Sequence, residues 1–343
     1  MSQLYSIHPI EAPPDEMSRV QQLPILLLNV HSNCNCRCVM CDIWRRKEHD
    51  ELQHEDLERH RDSLKRLGVQ HVVLTGGEPL LHTRLESLCD FFRQLDIRLT
   101  LLTTGLLLYK HAAVVAEYFT DVIISIDGPA PVHDHIRRVR NALALIERGM
   151  AEVRRLRPTI VINCRTTIQK FNHTHLRETV AAVKRMNFDS ISFLAADLSS
   201  QAFNRDRPWE PERQSEVALT ALELAALDRE MISMIEERAD DIDSGFIVES
   251  PAKLRLIVER FRAHLGLSRP AAPLCNAPWV SAVVEIDGSV RPCFFHGSVG
   301  NIKHQTLYQA INSPAALSFR SSLDIATNPT CQRCVCSLNY RPA

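Results

Sequence analysis

Residues 24–41 of the 343-residue chain read PILLLNVHSNCNCRCVMC, an apolar run that gives way within four residues to Cys34, Cys36, Cys38 and Cys41. The run is short, bounded by a proline and free of charge, which is the pattern of a strand buried on both faces. Five more stretches have the same character, at 70–75 (QHVVLT), 97–103 (IRLTLLT), 121–126 (DVIISI), 158–165 (PTIVINCR) and 189–195 (DSISFLA). Segments with helical periodicity separate them, at 54–67, 83–95, 109–119, 139–154 and 173–187. The first of these begins with acidic residues and ends at Gly68, the charge bias and C-terminal glycine expected of a helix. Strict strand–helix alternation predicts a parallel sheet with right-handed crossovers. The near-continuous apolar character predicts that both faces are covered. Periodicity alone leaves an open sheet and a partial barrel equally allowed.

The remainder divides further. Residues 196–212, with Pro208 and Pro211, read as a loop; helices follow at 213–239 and 251–266, and RPAAP at 269–273 reads as a linker. VVEIDGSVRPC, 283–293, reads as a hairpin turning on Asp287-Gly288 as a two-residue turn. The expected units are an N-terminal extension (1–23), a core (24–200), a helical linker region (201–270) and a small C-terminal domain (271–343).

Hydrophobic residues make up 45% of the chain and charged residues 24%, with a formal net charge of −1. Such a balance supplies no basic field, so no nucleic-acid partner is expected. The N-terminus lacks the basic and apolar regions of a signal peptide, and no apolar run approaches the ~18 residues of a membrane span. A cytoplasmic location without membrane attachment is therefore expected. Eleven cysteines are many for such a chain, and they sit at its two ends: four between Cys34 and Cys41, five at Cys275, Cys293, Cys331, Cys334 and Cys336. Only Cys89 and Cys164 lie between, as small core residues. In a reducing compartment two-ended clustering points to metal ligands rather than disulfides.

Cys34, Cys38 and Cys41 form C-x3-C-x2-C. Three thiolates on one loop can hold three irons of a [4Fe–4S] cube and leave the fourth open to a cofactor or substrate. A structural zinc site wants four protein ligands, usually in paired knuckles. Cys36 stands outside the pattern as a spare thiol. C-x3-C-x2-C directly after the first strand of a βα series resembles the signature of the radical S-adenosylmethionine (SAM) superfamily. The resemblance implies an α/β fold, a partial (β/α)6 barrel, and an enzyme that reductively cleaves SAM at the cluster to a 5′-deoxyadenosyl radical, which abstracts a substrate hydrogen. It also implies a flavodoxin or ferredoxin type reductant as partner.

The strand ends extend the resemblance. Gly76, Gly77, Glu78 and Pro79 match the family's GGEP motif, in which paired glycines permit close backbone approach and the carboxylate would meet the amine of SAM. Thr103-Thr104-Gly105 departs from the usual Thr-Asn-Gly at its middle residue, and Thr103 is a candidate for SAM. Ser125 and Asp127, in Ser-Ile-Asp-Gly, match the family's fourth-strand motif and alternate to one side. His133-Asp134 and Arg137 follow in a pattern, HDHIRR, that resembles relatives with the same C-terminal domain. Arg165, at the fifth strand end, could meet a carboxylate. Each motif also reads as ordinary turn chemistry.

Cys275-x12-Gly288-x4-Cys293 followed by Cys331-x2-Cys334 resembles the SPASM extension in its reduced, Twitch form. That implies one auxiliary [4Fe–4S] cluster on Cys275, Cys293, Cys331 and Cys334, with Cys336 left as a candidate hydrogen donor. A zinc ribbon on the same four thiols stays open, and a protein with zinc at both ends is the non-enzyme alternative. The expected substrate is a small polar natural-product intermediate, oxidised or epimerised; a peptide, as in maturases of the same superfamily, is the alternative.

Overall fold

The computed structural model describes residues 18–203, 205 and 207–341, so residues 1–17 of the expected N-terminal extension lie outside the described residues. Strands β1 (Ile25–His31), β2 (His71–Gly76), β3 (Arg98–Thr103), β4 (Asp121–Ser125), β5 (Val161–Ile168) and β6 (Ser190–Ala195) are all parallel and pair in sequence order. The sheet is open, as an α/β partial barrel requires, and extends beyond β1. Strands β7 (Ser281–Val284), β8 (Ser289–Arg291) and β9 (Gly300–Asn301) complete the order β6-β5-β4-β3-β2-β1-β7-β8-β9. β7 runs parallel to β1, with Ile25 opposite Ser281 and Leu28 opposite Val284. The C-terminal hairpin is thus stitched into the core sheet by backbone hydrogen bonds.

Side-chain alternation divides the sheet into two faces. Leu26, Leu28, Val72, Leu74, Leu101, Val122, Ile124, Ile162 and Ile191 are buried in the main core. The residues between them, including Asn29, Ser125, Asn163, Arg165, Thr167 and Ser192, are half-buried. Coverage of both faces is therefore corrected: one face is sealed, while the other is partly open and polar over β4–β6.

Several boundaries differ from the expected ones for local reasons. The helix expected at 54–67 is two, His54–Glu58 and Arg61–Arg66, interrupted near His60, whose buried ring accepts a hydrogen bond from Leu307 N at 3.2 Å. The helix expected at 139–154 is preceded by another, Ala130–Arg137, and itself spans Ala142–Leu156. Arg138 and Asn141 make the corner in left-handed backbone, while Asp134 accepts from Asn141 N (2.6 Å) and Ala142 N (3.0 Å). The β7–β8 loop is three residues, because Glu285 N already bonds Ser289 O at 2.9 Å; Gly288 takes the left-handed position (φ 84°) that such a loop needs.

Candidate active site

The loop after β1 carries the first cysteine group. Its backbone is tied to β2 by Gly77 N–H to His31 O and Glu78 N–H to Asn33 O, both 2.8 Å. A second tie runs to the helix Ala130–Arg137, from Arg37 N to Arg137 O (3.2 Å) and Val39 N to Ile136 O (3.0 Å). A Cβ on Gly77 would stand 1.8 Å from Asn33 O, and one on Gly76 2.8 Å from His31 O. In this structure the paired glycines admit the cysteine loop itself.

Each sulfur of the C-x3-C-x2-C set faces an N–H donor. Cys36 N donates to Cys34 Sγ at 3.4 Å, Arg137 Nη1 to Cys38 Sγ at 3.5 Å, and Ile43 N to Cys41 Sγ at 3.4 Å. Such donors stabilise sulfur in its thiolate form, the form that binds iron. Cys36 is buried, and its hydrogen bonds to Cys34 and Cys38 push its own thiol pKa up. The Cys36 hydrogen bond and the Arg137 guanidinium pull the Cys38 thiol down against the cost of burial. Among the described residues no three His, Cys, Asp or Glu side chains close on a point as one bound ion requires; thiolates on separate irons of a cube stand further apart.

Glu78 lies at the turn after β2, its N–H bonded to Asn33 O of the cysteine loop. It is wholly buried, and its oxygens accept from Thr103 Oγ1 (2.7 Å), Leu80 N (3.0 Å), Thr104 N (2.8 Å) and Thr104 Oγ1 (2.7 Å). Burial raises its pKa, while these four donors act in the opposite direction. The carboxylate thus locks the end of β3 to the turn after β2, and Pro79 begins the short 3-10 helix that Glu78 caps. Thr103 shares that lock. Thr104 Oγ1, at the departing middle position, also lies 3.0 Å from the Asn35 side-chain amide of the cysteine loop.

Asp127 is likewise fully buried. Arg137 Nε donates to its Oδ2 (2.6 Å), Thr167 N to its Oδ1 (3.0 Å), and its own N–H donates to His133 Nδ1 (3.1 Å). Burial, reinforced by Arg137, depresses the His133 pKa to about 4, so the ring is neutral and accepts. The spacing of HDHIRR is thereby explained: His133 and Arg137, one helical turn apart, clamp Asp127, Asp134 caps the next helix, and Arg137 reaches Cys38. Ser125 and Arg165 lie opposite each other in register on the half-open face, and Arg165 Nε donates to Ser192 Oγ at 3.3 Å. The buried Glu249, which accepts from Phe193 N at 2.9 Å, adds a carboxylate near Arg165.

A further group escaped the sequence reading because it lies in the segment read as a plain loop. Trp209 is stacked by Arg205 (3.7 Å to the ring centroid) and by Arg213 (4.4 Å). Its Nε1 donates to Asp42 Oδ2, beside Cys41, at 2.5 Å, and Arg205 pairs with Asp197 at 2.6 Å. The tryptophan in a proline-flanked loop was its one sequence signal.

In the C-terminal group the four expected ligands lie within electrostatic reach of one another. Burial raises the Cys293 thiol to about 11, with Cys331 and Cys275 adding to the rise. Burial also raises Cys334, with Cys336, Cys293 and Cys275 contributing. His296 Nε2 lies 3.3 Å from Cys331 Sγ, a neighbour not foreseen. Cys336 is exposed, and its N–H donates to Cys334 Sγ at 3.4 Å.

Comparison with known proteins matches residues 28–183 to the radical SAM superfamily and residues 275–335 to SPASM, an iron–sulfur cluster-binding domain. The chain is a member of the radical SAM superfamily. It is 23% identical to the Fe-coproporphyrin III synthase of Methanosarcina barkeri, over 93% of this chain and 83% of that protein. It is 22% identical to AlbA, the antilisterial bacteriocin subtilosin biosynthesis protein of Bacillus subtilis, over 82% of this chain but only 58% of AlbA. SuiB of Streptococcus suis, solved bound to S-adenosylmethionine, superposes with a TM-score of 0.63 at 15% identity, covering 94% of this chain and 74% of SuiB. SAM, a [4Fe–4S] cluster and auxiliary iron–sulfur binding thus belong to this radical SAM enzyme, and iron–sulfur chemistry replaces the zinc alternatives. Among the described residues no helix is long and apolar enough to cross a membrane.

Proposed function

We propose that Cys34, Cys38 and Cys41 hold the catalytic cluster, that SAM lies across the ends of β2–β5, and that the enzyme abstracts hydrogen from a small polar substrate, oxidising or epimerising it. The supporting observation is the N–H donor aimed at each of those three sulfurs. When bound, the cluster and SAM supply one-electron cleavage to a 5′-deoxyadenosyl radical. The chain's own residues position and recognise. Asn35 Nδ2 and Gln169 Oε1 are buried without a hydrogen-bond partner, one beside Cys34 and one just after β5, and a polar ligand would satisfy both. Gly76, Gly77, Glu78, Pro79, Thr103 and Asp127 keep the strand ends and cysteine loop in register. Ser125 and Arg165 present a hydroxyl and a cation on the half-open face, suited to a carboxylate or hydroxyl ligand.

Cys275, Cys293, Cys331 and Cys334 are the proposed ligands of the auxiliary cluster, with Cys336 as hydrogen donor should the reaction be an epimerisation. The polar row Ser125–Arg165–Ser192 favours a small polar substrate. A peptide is the second reading, favoured by the similarity to AlbA. Anaerobic incubation with SAM and dithionite, read by mass spectrometry for 5′-deoxyadenosine, tests both. Aminocyclitols and sugars should raise 5′-deoxyadenosine above the substrate-free level; a rise only with peptides reverses the substrate assignment.

A further inference from the structure

One side chain beside the C-terminal cysteines has no part in the chemistry described so far. His296 Nε2 lies 3.3 Å from Cys331 Sγ. The ring is half-buried and meets Phe319 edge to face, with centroids 4.8 Å apart and planes at 61°. It is wedged between an aromatic ring and a sulfur.

Both sides of this contact are held. Residues 293–297 make an excursion between β8 and β9, closed at its base by Val299 N–H to Val290 O at 2.8 Å. Arg291 Nη1 donates to His296 O at 3.4 Å, and the backbone N–H groups of Phe295 and His296 are directed at the Cys293 sulfur. Ser313 Oγ donates to Val299 O at 2.5 Å and caps the helix Pro314–Ser322, which carries Phe319. On the other side, Cys331 N donates to Asn328 Oδ1 and Cys334 N to Cys331 O, both at 3.1 Å. Arg260, from the helix Pro251–His264, donates to Gln332 O. The fold itself thus sets the distance between ring and sulfur.

We propose that His296 is a positioning residue that donates its Nε2–H to Cys331 and, through that sulfur, raises the reduction potential of the auxiliary cluster. The inference rests on the reading of Cys331 as a cluster ligand. A ligand sulfur is deprotonated and can only accept, so the proton of this contact must sit on the ring at Nε2. Such a donor draws negative charge from the sulfur and favours the state that holds one more electron. The backbone N–H groups at Cys293, and that of Cys336 at 3.4 Å from Cys334 Sγ, act in the same direction. His296 adds a side chain to this set, which can be exchanged without altering the backbone. Direct ligation of iron is the competing role for an imidazole, but four cysteines already complete a cube.

The test is anaerobic redox titration of the reconstituted full chain, read by electron paramagnetic resonance, for wild type, His296→Leu and His296→Gln. SAM added to the open iron changes the signal of the first cluster and so tells the two apart. Leu keeps apolar packing against Phe319 but has no N–H; Gln places an N–H near the position of Nε2. In the Leu variant the equilibrium constant for reducing the auxiliary cluster should fall about tenfold, the scale of one hydrogen bond to a charged group, or about 59 mV for one electron. Iron should stay at about eight per chain. The Gln variant should recover most of the shift, and the first cluster should titrate alike in all three proteins. An auxiliary potential in the Leu variant equal to that of wild type overturns the proposal, as does an equal fall in Leu and Gln, which would leave packing as the cause. Loss of about half the iron from either variant would make His296 a ligand or a scaffold and also overturns it. Full iron in Cys331→Ala would instead overturn the ligand assignment.

Discussion

Replacing Arg137 by Met should be among the most damaging single changes outside the cysteines. The guanidinium contacts Asp127 Oδ2 at 2.6 Å, and Asp127 has no exposed surface. Without Arg137 that carboxylate keeps Thr167 N at 3.0 Å as a donor, but its balancing charge is gone. Breaking a buried pair from one side costs about 3–5 kcal/mol. With a urea m-value of roughly 3 kcal/mol/M for a chain of this size, the unfolding midpoint should drop by about 1–1.7 M. Cys38 loses its donor in the same step, so the variant should also lose part of its iron. The double variant Arg137→Met, Asp127→Asn separates the causes, since an Asn oxygen can still accept from Thr167 N. It should recover at least about 2 kcal/mol of stability while remaining iron-poor. The measurement is anaerobic urea unfolding of the reconstituted protein, with iron determined in parallel. A single variant within about 1 kcal/mol of wild type, holding full iron, would refute the claim that this pair braces the cysteine loop.

Other outcomes follow from the same geometry. Alanine at Cys34, Cys38 or Cys41 should abolish 5′-deoxyadenosine formation and roughly halve iron, each cube holding about four irons, whereas Cys36→Ala should leave iron unchanged. Gly77→Ala drives a Cβ into Asn33 O at 1.8 Å and should displace the loop, so iron at the first site should be lost while the auxiliary cluster is retained; full occupancy would show that the loop yields easily. Cys336→Ala, assayed for both iron and product, should keep iron; loss of half the iron would make Cys336 a ligand in place of one of the four proposed. His133, held down to about 4 against its ordinary value near 6.5, binds a proton more readily when unfolded. Its contribution is therefore complete above about pH 6.5 and lost as pH falls toward 4, on the order of 3 kcal/mol in all; His133→Asn, which keeps an acceptor for Asp127 N, should flatten the stability profile across that window.

The six parallel strands were legible because their apolar residues are contiguous and bounded by turn formers. β5 runs three residues past its expected end at Arg165, through Thr166, Thr167 and Ile168, and Thr166 satisfies its hydroxyl internally on Ile126 O at 2.6 Å. The helix Ala130–Arg137 was hidden by Pro129 and Pro131, which read as breakers but sit at its start. At the site, the cysteine spacing carried the chemistry. What spacing could not reveal was which polar groups face each other: the Glu78 carboxylate accepts from Leu80, Thr103 and Thr104, and that of Asp127 from Arg137 and Thr167. The Arg205–Trp209–Arg213 stack joins residues more than 160 positions from Asp42, a pairing that no local pattern encodes.

The placement of β1 has a consequence for biosynthesis. Its neighbour β2 has been made once residue 76 leaves the ribosome, but its other neighbour, β7, begins only at residue 281. At about 5–20 residues per second the apolar edge of β1 waits roughly 10–40 s for its partner. During that interval it is a ready template for pairing with another nascent chain. Soluble yield should therefore respond more to slow, cool expression and to chaperone supply than to added iron. A shortened chain ending at residue 270, though it retains every residue of the first cysteine group, should aggregate for want of a partner strand.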